Sequence, residues 1–424
     1  MTERKESLRQ KLAQVRERTL WLFEQVPDDM LRVRIDDFYS PIGWHFGHVG
    51  RTEEYWACVV GCGRGPIDPD LSFLLADTPE NPKDNRVNIP DRAGIVAYLE
   101  RTREAALHAL DSSDLKGSPL VENGFAWDFA FQHECQHQET IVEMMMLIQK
   151  HRGDSSPWED SAALHWNEPP ETEWVQVQGR EFSMGSDDPF GYDNERPSHR
   201  IQVADFELMQ WPVNCFQWAQ FIESGGYRDR KIWSDGGWRW RSANDIERPH
   251  YWLVNEAPAT YSPFGKRHLL PDEPVTAISW YEAEAYCRWS GSRMPTEEEW
   301  EFVARGPRAS TFPFGENAPT SRQATFALHS WRPATPSELP DGVNPQGIGA
   351  LAGGVWEWTA SPFLPYPGFQ AFPYDGYSKD HMDGGHFVCR GGSFATQPII
   401  LRSSFRNWYV PTYRQGFLGL RCAQ

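Results

Sequence analysis

Hydrophobic residues recur at helical spacing along the first 150 residues of the chain and at shorter, strand-like spacing afterwards. The first apolar stripe consists of Leu8, Leu12, Val15, Leu20, Leu22 and Phe23. A second helix is predicted directly after Ser40 and Pro41, a third over residues 92–111 and a fourth over about 123–150. Four connected helices predict a four-helix bundle, a fold that places metal sites on inward-facing side chains.

The second half predicts a different kind of domain. Residues 151–174 are polar, contain prolines and lack a helical stripe, which is typical of a linker. From residue 175 onward, short β-like runs are interrupted by two predicted helices, and many of the 20 tryptophans lie here. We therefore expect a helical domain over 1–150 and a loop-rich α+β domain over 175–424 that is held together by aromatic packing.

Composition narrows the class of protein. A chain of 424 residues is too long for one ordinary core, which supports two domains. The net charge of −18 argues against a nucleic-acid partner, because phosphate binding needs a basic face. The sequence contains no apolar run of membrane-helix length, and its charged first helix does not resemble a signal peptide. The seven scattered cysteines fit reduced thiols, so we expect a cytoplasmic protein.

The stretch from His133 to His137 reads H-E-C-Q-H and matches the H-E-x-x-H pattern of zinc proteases. Two histidines four residues apart share one face of a helix and suit one metal ion. A protease would take its third ligand downstream, where Glu159 lies inside the predicted linker. His45 and His48 on the predicted second helix offer a third ligand instead. Such a three-histidine site with open positions suits an oxygen-activating iron or a hydrolytic zinc.

Two motifs of the first half carry a family resemblance. The sequences SPIGWHFGHVG (40–50) and HECQHQE (133–139) together resemble the DinB-like helical domain of the ergothioneine-pathway sulfoxide synthases. The resemblance implies that His48, His133 and His137 bind Fe(II), with His45 as a neighbour.

The second half resembles the formylglycine-generating-enzyme fold, a C-type-lectin-like domain. The matching motifs include FSMGS (182–186), GGVWEWTAS (353–361), CRGGSF (389–394), RSSFRNW (402–408) and GFLGLRCA (416–423). The implied fold class is a multidomain α and α+β protein, in which a DinB-like four-helix bundle precedes a C-type-lectin-like domain.

The resemblance also implies a reaction. An enzyme of this kind uses Fe(II) and O2 to join sulfur or selenium to C2 of the imidazole of hercynine, the N-trimethylated histidine. It places Gln136, Asn407 and Trp408 beside this substrate, and an aromatic surround suits its trimethylammonium group. A tyrosine handles a proton in the sulfoxide synthases, and here Tyr377 is the first candidate, before Tyr374 and Tyr366.

Two departures from the family pattern concern the second substrate. Tyr409 and Tyr413 stand where the branch that uses γ-glutamylcysteine has an acidic residue and an arginine. A donor without that additional carboxylate is therefore favoured, such as the selenosugar that selenoneine synthases use. Lys83 and Arg86 are predicted to contact an anionic or polyol donor.

Three other functions stay open on the sequence. One is sulfoxide synthesis from cysteine or γ-glutamylcysteine. Another is a DinB-type zinc-dependent thiol transferase or hydrolase, which would leave the second domain unexplained. The third is a lectin-like binding module without catalysis, against which the complete set of three histidines argues.

Overall fold

The computed structural model describes residues 2–153, 166–253 and 258–424 of the chain. Two compact units divide between Gly153 and Asp154. Part of the predicted linker, including Glu159, lies outside the described residues. The last helix of the first unit ends at Arg152, so the first two residues of the predicted linker, 151 and 152, are helical. No helix in the described ranges is long and apolar enough to cross a membrane.

The first unit is a bundle of four long helices with one short helix between them. The helices are α1 (Thr2–Gln25), α2 (Ile42–Glu53), α3 (Pro69–Leu74), α4 (Arg92–Ser112) and α5 (Phe125–Arg152). Helix α2 packs against α4 and α5, and α1 packs against α5. In α1 the predicted stripe is buried except for Leu20, which is half-buried. Since apolar faces drive this packing, the long helices follow the sequence pattern closely.

Helix α2 continues directly into one π-helical segment, Glu54–Val60. Such wider turns often occur at functional sites. The carboxylate of Glu54 is buried and accepts hydrogen bonds from Tyr98 Oη at 3.0 Å and from the backbone N–H of Ile67 at 2.5 Å. The segment thereby connects the end of α2 to α4 and to the chain before α3.

The second unit contains five further helices in its described residues. They are α6 (Cys215–Glu223), α7 (Asp235–Ala243), α8 (Trp280–Ser290), α9 (Glu297–Arg305) and α10 (Asp375–Ser378). Asn214, Ser279 and Thr296 each accept a hydrogen bond from the first turn of α6, α8 and α9, and each forms a capping box. These caps satisfy N–H groups that the helices themselves leave free.

Short strands form four small sheets in the second unit. The strands are β1 (Trp174–Val177), β2 (Glu181–Met184), β3 (His199–Gln202), β4 (Phe206–Met209), β5 (Ala259–Ser262), β6 (Gly265–His268), β7 (Trp356–Pro362), β8 (Phe387–Arg390), β9 (Asn407–Tyr409) and β10 (Leu418–Leu420). The largest sheet has the order β10-β7-β8-β9, in which β10 and β7 are parallel and the other pairs antiparallel. Strand β9 lies at the edge of this sheet, where Trp408 pairs with Val388.

Tryptophans form much of the core of this unit, as the sequence predicts. Trp300 and Trp358 are fully buried, and their indole N–H groups donate to Glu357 at 2.8 Å and to the carbonyl of Ile278 at 3.0 Å. The Glu357 carboxylate also pairs with the buried Arg421 at 2.8 Å. Large aromatic area and satisfied polar groups together stabilise a unit with little regular secondary structure.

Candidate metal centre and substrate-facing residues

Helices α2 and α5 bring three histidine side chains to one point of the first unit. His48 comes from α2, and His133 and His137 come from successive turns of α5. One nitrogen from each lies within 4.8 Å of the other two. The Nε2 atoms of His133 and His137 are 3.1 Å apart. The predicted set of three histidines is therefore assembled in the fold.

The orientation of His48 is determined by a loop outside its helix. Its Nδ1 lies 2.7 Å from the carbonyl oxygen of Leu75, which can only accept a hydrogen bond. His48 therefore carries its proton on Nδ1 and presents a lone pair on Nε2. The indole of Trp44 stacks on the same ring, with centroids 4.3 Å apart and an angle of 15°. Ring and tautomer are both prepared for a ligand at Nε2.

His45 faces a different atom of the centre. Its Nδ1 lies 3.0 Å from Nδ1 of His137, at the end of that ring remote from His133. His45 itself is 6% exposed and meets Trp44 edge-on. It is thus a neighbour of the three-histidine group, as the resemblance implies.

All four imidazoles are neutral at pH 7. Burial is the largest cause in each case, and it lowers the pKa of His45, His48 and His133 well below the usual value. The pKa of His137 falls to about 4, because desolvation outweighs the opposing effect of Asp77 and Glu134. Neutral imidazole is the form that binds a metal ion, so no proton has to be displaced at this pH.

The spacing of His133 and His137 fits two ligands of one metal ion. Two nitrogens that bind one ion at about 2.1 Å and at right angles lie about 3 Å apart, as the Nε2 atoms of His133 and His137 do. His133, Gln136 and His137 form a half-buried face of α5, whereas Glu134 and Cys135 are buried. A metal ion bound by these three histidines would keep coordination positions for small molecules on this half-buried face.

Glu134 of the H-E-x-x-H stretch is turned into the helical core. Its carboxylate accepts hydrogen bonds from Arg16 Nε at 2.8 Å, from Arg103 at 3.2 Å and from Thr19 at 2.7 Å. Arg16 and Arg103 also pair with Glu53. Despite burial, which acts in the opposite direction, these arginines lower the pKa of Glu134. A glutamate held in this way cannot serve as the general base of a zinc protease, so the geometry excludes that reading.

The loop before α4 places Lys83 and Arg86 differently. Arg86 is 3% exposed and donates to Asn81 O, Ser40 Oγ and Asp77, while its guanidinium lies 4.5 Å from the Trp44 ring centroid. Lys83 is half-buried and donates to the carbonyls of residues 37 and 38. Both cations already have protein partners. The guanidinium of Arg86 packs on Trp44, the ring that stacks on His48.

In the second unit, the rings of Phe363, Tyr377 and His381 surround Trp408. Phe363 stacks on its indole with centroids 4.2 Å apart and an angle of 5°. The ring of Tyr377 meets the indole edge-on at 6.2 Å, and His381 lies at 5.7 Å. Trp408, Tyr377 and His381 are half-buried, while Phe363 is fully buried. This aromatic group has the character that recognises quaternary ammonium ions.

Asn407 and Tyr409 leave strand β9 on the face opposite to Trp408, because successive side chains of a strand alternate. The Asn407 amide donates to the Tyr409 hydroxyl at 3.3 Å. Tyr409 stacks on Tyr413 with ring centroids 4.1 Å apart, and Tyr413 is 3% exposed. Tyr409 and Tyr413 thus form one stacked aromatic pair.

The three tyrosine candidates have different surroundings. Tyr366 is buried, accepts a hydrogen bond from Arg390 at 3.2 Å, and has a raised pKa mainly because of burial. Tyr374 is exposed. Tyr377 is half-buried, stacks on Tyr192 at 4.6 Å and touches the Trp408 group. Of the three, Tyr377 is the one whose ring meets Trp408.

Family models match both halves of the chain. Residues 161–424 match the sulfatase-modifying factor enzyme 1-like domain, and residues 11–141 match the DinB superfamily. A hercynine oxygenase of Mycobacterium tuberculosis is 37% identical over 97% of this chain and 97% of its own length. One from Mycolicibacterium thermoresistibile is 36% identical over 98% of this chain and 94% of its own. Ergothioneine biosynthesis protein 1 of Neurospora crassa is 27% identical over 84% of this chain and 49% of its own.

The chain belongs to the hercynine oxygenase family. Membership confirms the predicted relationship to the ergothioneine-pathway synthases and the fold class of a DinB-like bundle followed by a formylglycine-generating-enzyme-like domain. It also confirms the prediction of an oxidoreductase. The roles of individual site residues stay predictions.

Three features of this hercynine oxygenase relative were not found from its sequence. They are the contact of His45 with His137, the carbonyl of Leu75 on His48, and His381 beside Trp408. The H-E-x-x-H spacing could have signalled the buried role of Glu134, since the residue after His133 lies about 100° around the helix. The loop contacts have no periodic signal.

Proposed function

We propose that this protein is an Fe(II)- and O2-dependent enzyme that joins a chalcogen to C2 of the imidazole of hercynine. The observation that carries the proposal is the three-histidine group, in which one nitrogen of each ring lies within 4.8 Å of the other two. Full-length similarity to hercynine oxygenases supports the substrate. Bound there, iron supplies O2 activation and a position for an anionic chalcogen donor.

The protein's own residues bind and orient the substrate in this proposal. Trp408, Tyr377 and their aromatic neighbours attract the trimethylammonium group through ring faces and edges. Asn407 and Gln136 offer amide groups to the imidazole and carboxylate. The Tyr377 hydroxyl supplies or receives the proton that the reaction moves, held in place by the stack on Tyr192.

For the second substrate we propose a selenosugar. The stacked pair Tyr409–Tyr413 presents no cation to a donor carboxylate, which favours a neutral polyol over γ-glutamylcysteine. Lys83, whose pKa is lowered mainly by desolvation, remains the proposed contact from the helical unit. Arg86 acts in this proposal through Trp44, because its donors are already in use.

The atoms balance in either product form. Loss of the C2 proton and the selenol or thiol proton with one O2 gives a selenoxide or sulfoxide plus one water. If the product is the unoxidised selenoether, the same two hydrogens pass to O2 as hydrogen peroxide. Measuring peroxide and product mass together therefore identifies the product form.

The test is anaerobic reconstitution with Fe(II), followed by air and hercynine with a selenosugar, cysteine or γ-glutamylcysteine. We expect an adduct with the selenosugar by mass spectrometry. An adduct only with cysteine or γ-glutamylcysteine would move the protein to sulfoxide synthesis and contradict the donor assignment. No adduct with any donor, together with Zn(II) rather than iron in the purified protein, would favour the zinc-dependent transferase or hydrolase.

A further inference from the structure

The three histidines differ in the hydrogen-bond partner of Nδ1, the ring nitrogen that would not bind the metal ion. His48 donates from Nδ1 to the Leu75 carbonyl at 2.7 Å. His137 has its Nδ1 3.0 Å from Nδ1 of His45. The Nδ1 of His133 has no hydrogen-bond partner among the described residues. Metal-binding histidines in proteins almost always donate their other N–H to a carboxylate, a carbonyl or water. The imidazole of His45 is therefore an unusual partner for His137.

The proton positions follow from the chemistry of the rings. If His137 binds metal through Nε2, its proton is on Nδ1, and this N–H can only donate. His45 must then accept at Nδ1 and carry its own proton on Nε2, a buried nitrogen that has no hydrogen-bond partner among the described residues. The contact therefore holds both rings in one defined pair of tautomers.

His45 cannot itself share the ion with His137. It approaches the Nδ1 end of that ring, whereas His133 approaches the Nε2 end. The lone-pair directions of the two nitrogens of one imidazole diverge, so an ion between His133 and His137 lies away from His45. Position 45 is also well fixed, since the side chain is 6% exposed and abuts Trp44.

We propose that His45 is a positioning residue that sets the tautomer and ring orientation of His137 and thereby slows metal release. Its imidazole is a neutral acceptor, so it orients the ligand without adding negative charge next to the centre. A dipositive centre is retained, which favours an anionic chalcogen donor. This inference rests on the proposed metal site.

The test uses His45→Phe, which removes the acceptor, and His45→Gln, whose side-chain oxygen can still accept. His108→Phe is the matched control, because His108 is exposed on α4 and pairs with Arg64. Each protein is loaded with Co(II) alone, and metal release to a chelator is timed. We expect about 10–100-fold faster release from His45→Phe, with His45→Gln close to wild type and His108→Phe unchanged.

A second readout separates positioning from a general loss of structure. In the Co(II) protein the ligand N–H protons give paramagnetically shifted NMR signals that exchange with water. We expect one of them to exchange faster in His45→Phe and to be protected again in His45→Gln, while the thermal midpoint of the metal-free protein stays near wild type. If His45→Phe does not fold, His45→Ala, which also removes the acceptor, takes its place in both measurements.

Two results would overturn the proposal. One is release and exchange in His45→Phe equal to wild type. The other is the loss of one histidine ligand from the Co(II) spectrum, which would make His45 a ligand. Absence of metal binding by the wild-type protein would instead contradict the proposed function, so the two failures are distinguishable.

Discussion

Glu134 accepts a hydrogen bond from Arg16 Nε at 2.8 Å. Both residues belong to a cluster of two arginines and two glutamates, completed by Arg103 and Glu53, that joins α1, α2, α4 and α5. The glutamate between the two α5 histidines therefore stabilises the bundle that carries the metal centre. In a zinc protease the same sequence position would contact the reacting water.

Replacing Glu134 by glutamine should destabilise the first unit without removing its metal site. Arg16 and Arg103 would lose a buried counter-charge, and breaking a buried pair by removing one partner costs about 3–5 kcal/mol. Urea unfolding of the metal-free protein measures the loss, with the exposed Glu122→Gln as control. Unchanged stability together with lost activity would restore a catalytic role for Glu134.

Replacing Trp408 by alanine should weaken hercynine binding by about 1–3 kcal/mol, because a stacked ring and a cation–π surface are lost. Calorimetric titration of the anaerobic protein with hercynine measures the change. Trp240→Ala, at a half-buried tryptophan that pairs with Tyr281, controls for the general effect of losing an indole. Equal affinity of wild type and Trp408→Ala would make Trp408 part of the scaffold only.

Replacing Tyr377 by phenylalanine should lower turnover by about 100-fold or more while hercynine affinity stays near wild type. The stack on Tyr192 needs only the ring, so the variant keeps its local structure. Single-turnover product analysis measures the effect, and Tyr374→Phe at the exposed neighbouring tyrosine is the control. Wild-type turnover in Tyr377→Phe would exclude its hydroxyl from the proton transfer.

The metal-free protein should lose stability as the pH falls from about 6.5 towards 4. The pKa values of His45, His48, His133 and His137 are lowered in the fold, mainly by desolvation, so the unfolded chain binds protons more readily. Their contribution is complete above the unfolded pKa and is lost as the pH drops towards the folded values. The fall of the His137 pKa from 6.5 to about 4 alone corresponds to about 3 kcal/mol.

Urea unfolding at pH 7.5 and pH 5 checks this dependence. His137→Phe should reduce the difference between the two pH values, while His108→Gln, at an exposed histidine, should leave it unchanged. The same pH dependence in His137→Phe and in wild type would show that other groups cause it.

Periodic features of the chain were predictable because they depend on residues near one another in sequence. The stripe of α1 and the shared face of His133 and His137 both follow from helical spacing. The preference for His48 over His45 came from family resemblance, since both lie on the same helix. What distinguishes His48 in the fold is the hydrogen bond from its Nδ1 to the carbonyl of Leu75. Leu75 lies 27 residues away in a loop, and hydrophobic periodicity does not predict such a contact.

Side chains in irregular segments were harder to place. The sequence predicts that Arg86 contacts the donor, but it does not predict that the guanidinium lies over Trp44 or that Arg86 is only 3% exposed. The residues around His381 in the sequence give no sign that the turn after α10 brings its side chain to Trp408. Such contacts depend on long-range packing of loops.

The proposed function depends most on His48, His133 and His137 holding iron with an open coordination position. Electron paramagnetic resonance of the anaerobic Fe(II) protein with nitric oxide tests it most directly. We predict the half-integer-spin signal of an iron–nitrosyl complex in wild type, its loss in His137→Ala, and a change in its shape when hercynine is added. A signal that survives in His137→Ala, or one that hercynine leaves unchanged at saturation, would contradict the account.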